Sequence, residues 1–144
     1  KDLGMMAMSY GNVYVANVAL SNPAQVVKAF IEAEAYDGPS LIIAYSHCIA
    51  HGIDMTKGVD ENRKAVSCGY WPLFRYNPAL AAEGKNPLQL DSKAPTTSFE
   101  EYAYGENRYK VLQKANPEAA AALMKKATAW TASRFEYYQK LAAL

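Results

Sequence analysis

Apolar and polar positions along this chain switch between the period of a strand and that of a helix. Residues 13 to 20, Val-Tyr-Val-Ala-Asn-Val-Ala-Leu, combine β-branched and aromatic side chains without a helical stripe, the pattern of a largely buried strand. Ser21-Asn22-Pro23 comes next, offering N-cap side chains and then a proline whose missing N–H costs nothing in a first helical turn, so a helix is predicted to begin there. Val26, Val27, Phe30, Ile31 and Ala33 lie mostly on one side of that helix and form its expected packing face, while Lys28, Glu32 and Glu34 point largely elsewhere. Asp37-Gly38-Pro39 stops it, and residues 40 to 45, Ser-Leu-Ile-Ile-Ala-Tyr, read as a second buried strand.

Strand, helix and strand within about 35 residues make a βαβ unit, and near-continuous apolar strands imply a parallel sheet covered on both faces. The fold class is therefore α/β with a parallel sheet. Ligands of such sheets gather beyond the carboxyl ends of the strands, which directs attention to Ser46-His47-Cys48-Ile49-Ala50-His51-Gly52. Further on, Asp60 to Cys68 predicts a short helix closed by Gly69, with Asp60 as its cap and Val59, Ala65 and Val66 available for burial. Trp71 to Tyr76 has strand-like aromatic alternation. Residues 77 to 97 hold too many prolines, glycines and asparagines for a long regular element and predict a surface excursion. Ser98 to Glu101 matches a capping box and starts a helix or two, with Gly105 as an interruption, and Asn116-Pro117-Glu118 caps a long alanine-rich helix running close to Leu144. Along it Leu123, Ala127, Trp130, Arg134, Tyr137, Tyr138 and Leu141 recur at intervals of mostly three or four, a stripe that must pack on something. The organisation expected is an α/β part over residues 1–97 and a helical tail over 98–144 packing on it.

Composition narrows the function classes. A chain of 144 residues that is 51% apolar fits one compact unit. Lys plus Arg number 15 against 14 for Asp plus Glu, and a net charge of +1 leaves no field to recruit nucleic acid or an anionic membrane. The uncharged stretch from Leu3 to Val27 is too polar for a bilayer span, and no secretion signal is visible. Two cysteines, Cys48 and Cys68, do not make a disulfide framework, and a reducing, cytoplasmic setting is the simpler expectation. The opening Lys-Asp-Leu-Gly, without an initiator Met, reads as the start of a processed or excised piece.

Among candidate chemical groups Cys48 ranks first. A thiol just past a strand's carboxyl end can, as thiolate, bind soft metals or an iron–sulfur cluster; it can equally be a packed small hydrophobe, and position alone leaves both readings open. His47, Cys48 and His51 could compose a mononuclear zinc site, but structural zinc takes four ligands and Cys68 has no Cys or His two to four residues away. A hydrolytic Cys-His dyad lacks a recognisable orienting acid or amide. Neither a G-x-G-x-x-G run nor a P-loop occurs. Trp130, Tyr137 and Tyr138 are best read as interface residues, since buried rings contribute large apolar areas.

Three stretches carry a resemblance: KDLGMMAMSYGNVYVA at the start, PSLIIAYSHCIAHGID in the middle, and SCGYWPLFRYNPAL with GKNPLQLDSK after it. Together they resemble the last part of the thiamine-diphosphate domain of the pyruvate:ferredoxin (or flavodoxin) oxidoreductase family, with the first half of that domain absent. The resemblance implies an enzyme, generally a homodimer, that decarboxylates pyruvate, joins the acetyl group to coenzyme A and passes two electrons through 4Fe-4S clusters to ferredoxin or flavodoxin. It further implies thiamine diphosphate with Mg2+ as cofactor. In the block matched by YSHCIAHG the family's cysteine completes ligation of the cluster nearest thiamine, and the residue carrying that role here is Cys48. Relatives often hold proline where this chain has His47, whose imidazole could hydrogen-bond a cluster sulfur. The Gly-Asp-Gly signature and later Asn that hold diphosphate and magnesium do not occur, and Asp37-Gly38 sits at a helix stop, so no thiamine or magnesium ligand is carried over. With only two cysteines the chain alone is expected to be colourless and inactive, Cys68 being a packing residue. The alternatives are a stand-alone α/β interaction or scaffold module, or part of a sister enzyme acting on another 2-oxoacid.

Overall fold

A computed structural model describes all residues, 1–144. Its centre is β1, Tyr14–Ala19, every residue of which is buried. A six-residue helix α1, Leu3–Met8, precedes it; Asp2 caps this helix by accepting from the Met5 amide at 3.1 Å. After β1 come α2 (Pro23–Ala35), with Asn22 accepting from the Gln25 amide, and β2 (Ser40–Tyr45). Next in the chain are α3 (Gly58–Ser67), β3 (Phe74–Tyr76), α4 (Ala79–Ala82) and β4 (Leu88–Leu90). The chain closes with α5 (Phe99–Ala103), α6 (Asn107–Ala115) and α7 (Pro117–Ala142). The predicted caps of α5 and α7 form: Ser98 Oγ accepts from the Glu101 amide and Asn116 Oδ1 from the Ala119 amide, each at 3.0 Å.

The four strands lie in the order β2-β1-β3-β4. β1 and β2 are parallel, Tyr14 opposite Ser40 and Ala19 opposite Tyr45, as the βαβ pattern requires. β3 runs antiparallel to β1, and β4 antiparallel to β3, so the sheet is mixed and its parallel part is confined to one pair. The excursion after β3 explains the direction of β4: it is short enough to return as an antiparallel neighbour, whereas another parallel strand would need a full crossover. β1 is covered on both faces as expected. β2 is an edge strand, its Leu41, Ile42 and Ile43 only half-buried.

Alternation along the strands assigns two faces. Val15 packs with Phe74, Leu88, Ala7 and Tyr138, which places α1 and α7 over one face. The Tyr138 ring stacks on Phe74 at 4.8 Å, and its hydroxyl donates to Asp2 at 2.9 Å. Tyr138 is therefore a core residue, contrary to its reading as an interface residue. Trp130 and Tyr137 remain about half exposed, and so does Leu123; the inward side of α7 is Ala120, Thr131, Phe135 and Tyr138. A third cluster, Ala19, Tyr45, Ala65, Cys68, Leu73, Phe99, Tyr102 and Ala103, joins α3 and α5 to the carboxyl end of the sheet.

On the opposite face α2 turns a different side inward than its apolar stripe predicts. Gln25 and Ala29 are buried, with Val26 and Ala33 of the predicted face packed beside them, whereas Val27, Phe30 and Ile31 are exposed. The cause is Arg75 on β3, only 5% exposed, whose guanidinium binds Asp91 through two nitrogens at 2.9 and 2.8 Å and also pairs with Glu32 of α2. Tyr14 donates to the same Glu32 at 3.0 Å; burial, reinforced by that carboxylate, pushes its hydroxyl above the usual range and keeps it a donor. Gln25 Nε2 donates to Asp91 at 3.0 Å and to the Asn17 carbonyl at 3.3 Å. A buried guanidinium without carboxylates is far costlier than a few exposed aliphatic groups, so the ion pairs decide which side of α2 faces the sheet. In α3 the corresponding departure is Val59, which is exposed, while Asp60 stands in the first turn and pairs with Arg63.

Two substitutions test this ordering by urea unfolding of the chain. Asp91→Ala, which strips Arg75 of its bidentate partner, is expected to cost about 2–3 kcal/mol. Val27→Thr on the exposed apolar side should stay within about 0.5 kcal/mol; the reverse ranking would mean that α2 packs by its apolar stripe.

Candidate functional site

Parallel pairing of β1 with β2 brings both carboxyl ends to one edge of the sheet, and Asn62 of α3 ties them together. Its Nδ2 donates to the Tyr45 carbonyl at 3.3 Å and its Oδ1 accepts from the Ser21 amide at 3.2 Å. Tyr45, the last residue of β2, is buried; its hydroxyl shares a 2.7 Å hydrogen bond with that of Tyr102, and burial pushes its pKa up to about 12. From there Ser46 to Cys48 leave the sheet, and a single 3-10 turn, Ile49–His51, brings the chain back.

Cys48 stands at the head of that turn with its thiol exposed. Its Sγ accepts from the Ala50 amide at 3.4 Å. Gly52 ends the turn at φ 70°, in the left-handed region, and a side chain there would come within 2.6 Å of the Asn107 Cβ. Both the turn and the close approach thus require glycine. The Gly52 carbonyl accepts from the Asn107 amide at 3.3 Å, which docks the loop on the start of α6.

The two histidines are occupied elsewhere. The His47 ring lies on Gly58, the first residue of α3, filling the space a Cβ would take. His51 points to the α5–α6 connection: its Nδ1 lies 3.3 Å from Glu106 Oε1 and its Nε2 lies 3.2 Å from an Arg108 nitrogen. Arginine can only donate, so His51 Nε2 accepts from Arg108, while Nδ1 lies near the carboxylate without forming a hydrogen bond to it. His47, Cys48 and His51 do not converge, and no three His, Cys, Asp or Glu side chains gather as a mononuclear metal would require. Cys68 is 4% exposed, donates to the Ala65 carbonyl at 3.5 Å, and burial pushes its thiol up to about 11.

The chemistry open to this arrangement is that of one accessible sulfur at the rim of the sheet. It suits a single ligand to a metal cluster whose other ligands lie on a different part of a protein, as four-cysteine clusters accept ligands from distant chain positions. Glu106, Asn107 and Arg108, which hold the loop, carry no recognisable signal in the sequence: a charged run after Gly105 resembles an ordinary solvated turn. Asn62 is equally silent within the helix predicted over residues 60–68, as is Gly58 just before it.

No protein-family model matches the chain. Individual proteins do. It is 57% identical over 144 residues to the pyruvate-flavodoxin oxidoreductase of Nostoc sp., covering 99% of this chain and 12% of that protein. It is 60% identical over 143 residues to the pyruvate:ferredoxin oxidoreductase of Moorella thermoacetica, with the same coverages. Identity to the mitochondrial pyruvate dehydrogenase [NADP(+)] of Euglena gracilis is 51% over 143 residues, or 8% of that protein. The chain thus spans about one eighth of the length of the first two relatives.

The difference between the two sulfurs is directly measurable. An aromatic disulfide reagent at neutral pH should titrate one thiol quickly and the second only on unfolding. Cys48→Ser should abolish the fast phase; two fast thiols, or none, would contradict the described placement.

Proposed function

This chain is homologous to one segment of the pyruvate:ferredoxin and pyruvate-flavodoxin oxidoreductases, and from that premise we propose that it serves such an enzyme as part of the thiamine-diphosphate domain. In this reading Cys48 provides one ligand of a 4Fe-4S cluster, and the remaining ligands come from elsewhere in the enzyme. The observation that carries the reading is the exposed Cys48 sulfur just past the carboxyl end of β2, on a loop pinned to α3 and α6. The Ala50 amide, pointing at this sulfur, would be one of the hydrogen bonds that tune such a cluster's potential.

The whole enzyme would oxidatively decarboxylate pyruvate to acetyl-coenzyme A and hand two electrons to ferredoxin or flavodoxin. Thiamine diphosphate with Mg2+ supplies the ylid and electron sink for that chemistry when bound. No residue of this chain is assigned to hold it. What this chain's own residues do is structural and electrostatic. The β1 and β2 ends form a wall of the site, Asn62 keeps them in register, and the His47 and His51 rings lock the Cys48 turn from two sides. No helix of the structure is long and apolar enough to cross a membrane. A reducing cytoplasm, in which both thiols persist, and a homodimeric parent complete the proposal. The scaffold alternative has no observation in its favour, since the Nostoc, Moorella and Euglena relatives are all named as pyruvate-oxidising enzymes.

Cys48→Ser in the intact enzyme tests the reading through iron content and electron paramagnetic resonance. The expected result is loss of one cluster signal with folding and thiamine binding preserved. Full cluster content with normal ferredoxin reduction would refute it.

A further inference from the structure

Glu106 is the least expected charge in the molecule: its side chain has no exposed surface, and it opens α6 without capping it. A carboxylate so buried must be held by several partners, because desolvation costs several kcal/mol unless offset. Three side chains surround it. The Tyr102 hydroxyl donates to Oε1 at 3.3 Å, Arg108 Nε donates to Oε2, and His51 presents its Nδ1 at 3.3 Å. Tyr102 in turn shares its hydroxyl with Tyr45 at 2.7 Å.

The topology of these contacts matters more than their number. Tyr45 and His51 are the two residues between which the chain leaves the sheet, presents Cys48 and returns. One carboxylate is therefore linked to both ends of the Cys48 loop, to His51 by a 3.3 Å approach without a hydrogen bond and to Tyr45 through Tyr102. Arg108 closes the ring by binding Glu106 on one side and His51 Nε2 on the other. The Gly52–Asn107 backbone contact lies between these bonds and brings α6 against the turn.

We propose that Glu106 is the positioning residue of the Cys48 sulfur: with Tyr102, His51 and Arg108 it forms a clamp around one buried carboxylate that fixes where and how rigidly the loop presents its thiol. The inference rests on the reading of Cys48 as a cluster ligand, and deepens it. Outer partners of metal ligands are worth about tenfold to a hundredfold in metal retention, and Glu106 acts on the ligand from one step further back. The carboxylate's charge is what serves here. A neutral amide of the same shape that still accepts from Tyr102 turns its donor group toward Arg108.

The test uses the intact enzyme carrying Glu106→Gln, with His51→Gln as a second variant should the first not fold, since it leaves the carboxylate with Tyr102 and Arg108. Two readouts are taken: hydrogen–deuterium exchange over residues 46–52, and the rate of iron loss to a chelator together with the resonance line shape and potential of the cluster. The expected outcome is faster exchange confined to that loop, iron release accelerated about tenfold, and a shifted cluster spectrum. Unchanged exchange in the loop, or faster exchange with an unaltered spectrum, potential and iron-release rate, would overturn the clamp. Cys48→Ser run in parallel separates the two claims. If it retains every cluster, the ligand assignment fails by itself, while loop exchange in Glu106→Gln still reports on the geometry.

Discussion

Burial of β1 on both faces is the constraint on which the rest of the molecule depends. A strand with no exposed residue needs a layer above, a layer below and a neighbour on each side. Here α2 supplies one layer, α1 and α7 the other, and β2 and β3 the flanks. Because β2 is reached by a crossover through α2 it runs parallel, and its last residue comes to rest beside the last residue of β1. The loop bearing Cys48 can leave only at that edge. Its place is a consequence of strand direction, fixed before any specific contact in the loop is made.

Two buried charges then set the details that hydrophobic packing leaves open. Arg75 selects the side of α2 that meets the sheet, and Glu106 selects the position of the turn after β2. In each case one ion holds segments far apart in sequence: Arg75 joins α2 to the stretch after β4, and Glu106 joins the end of β2 to the α5–α6 connection. A hydrophobic contact could hold the same segments together but would tolerate sliding. The directional bonds of a guanidinium or a carboxylate do not.

This division also explains how much is legible in the sequence. β1, α2, β2 and α7 are readable because local periodicity, caps and proline positions specify them, and Cys48 falls beyond the end of β2 for the same reason. The antiparallel β3 and β4 and the helix α1 are less visible: the strands are three residues long, and six apolar residues at a chain end do not distinguish helix from strand. The inward side of α2 and the environment of Glu106 are not readable at all. Both depend on a partner 43 or more residues away, Arg75 for Glu32 and His51 for Glu106, and no local pattern marks a charge that will be buried. Tyr138 escapes the pattern for a related reason, since Tyr137 and Tyr138 are both aromatic and only the identity of the neighbour, Phe74, decides which one turns inward.

The surfaces left over have their own logic. Only 30 of 144 residues are buried, and Val27, Phe30 and Ile31 on α2, with Leu123, Trp130 and Tyr137 on α7, present apolar groups to solvent. Scattered apolar residues on a surface are ordinary, but these lie on one side of each helix and repeat at helical spacing, which is the pattern of a face awaiting cover. The two faces belong to different layers of the fold, so no single small partner could cover both. A larger body wrapping the sheet from both sides could. Cover for both helical faces therefore has to come from outside this chain, which spans about one eighth of the length of its relatives.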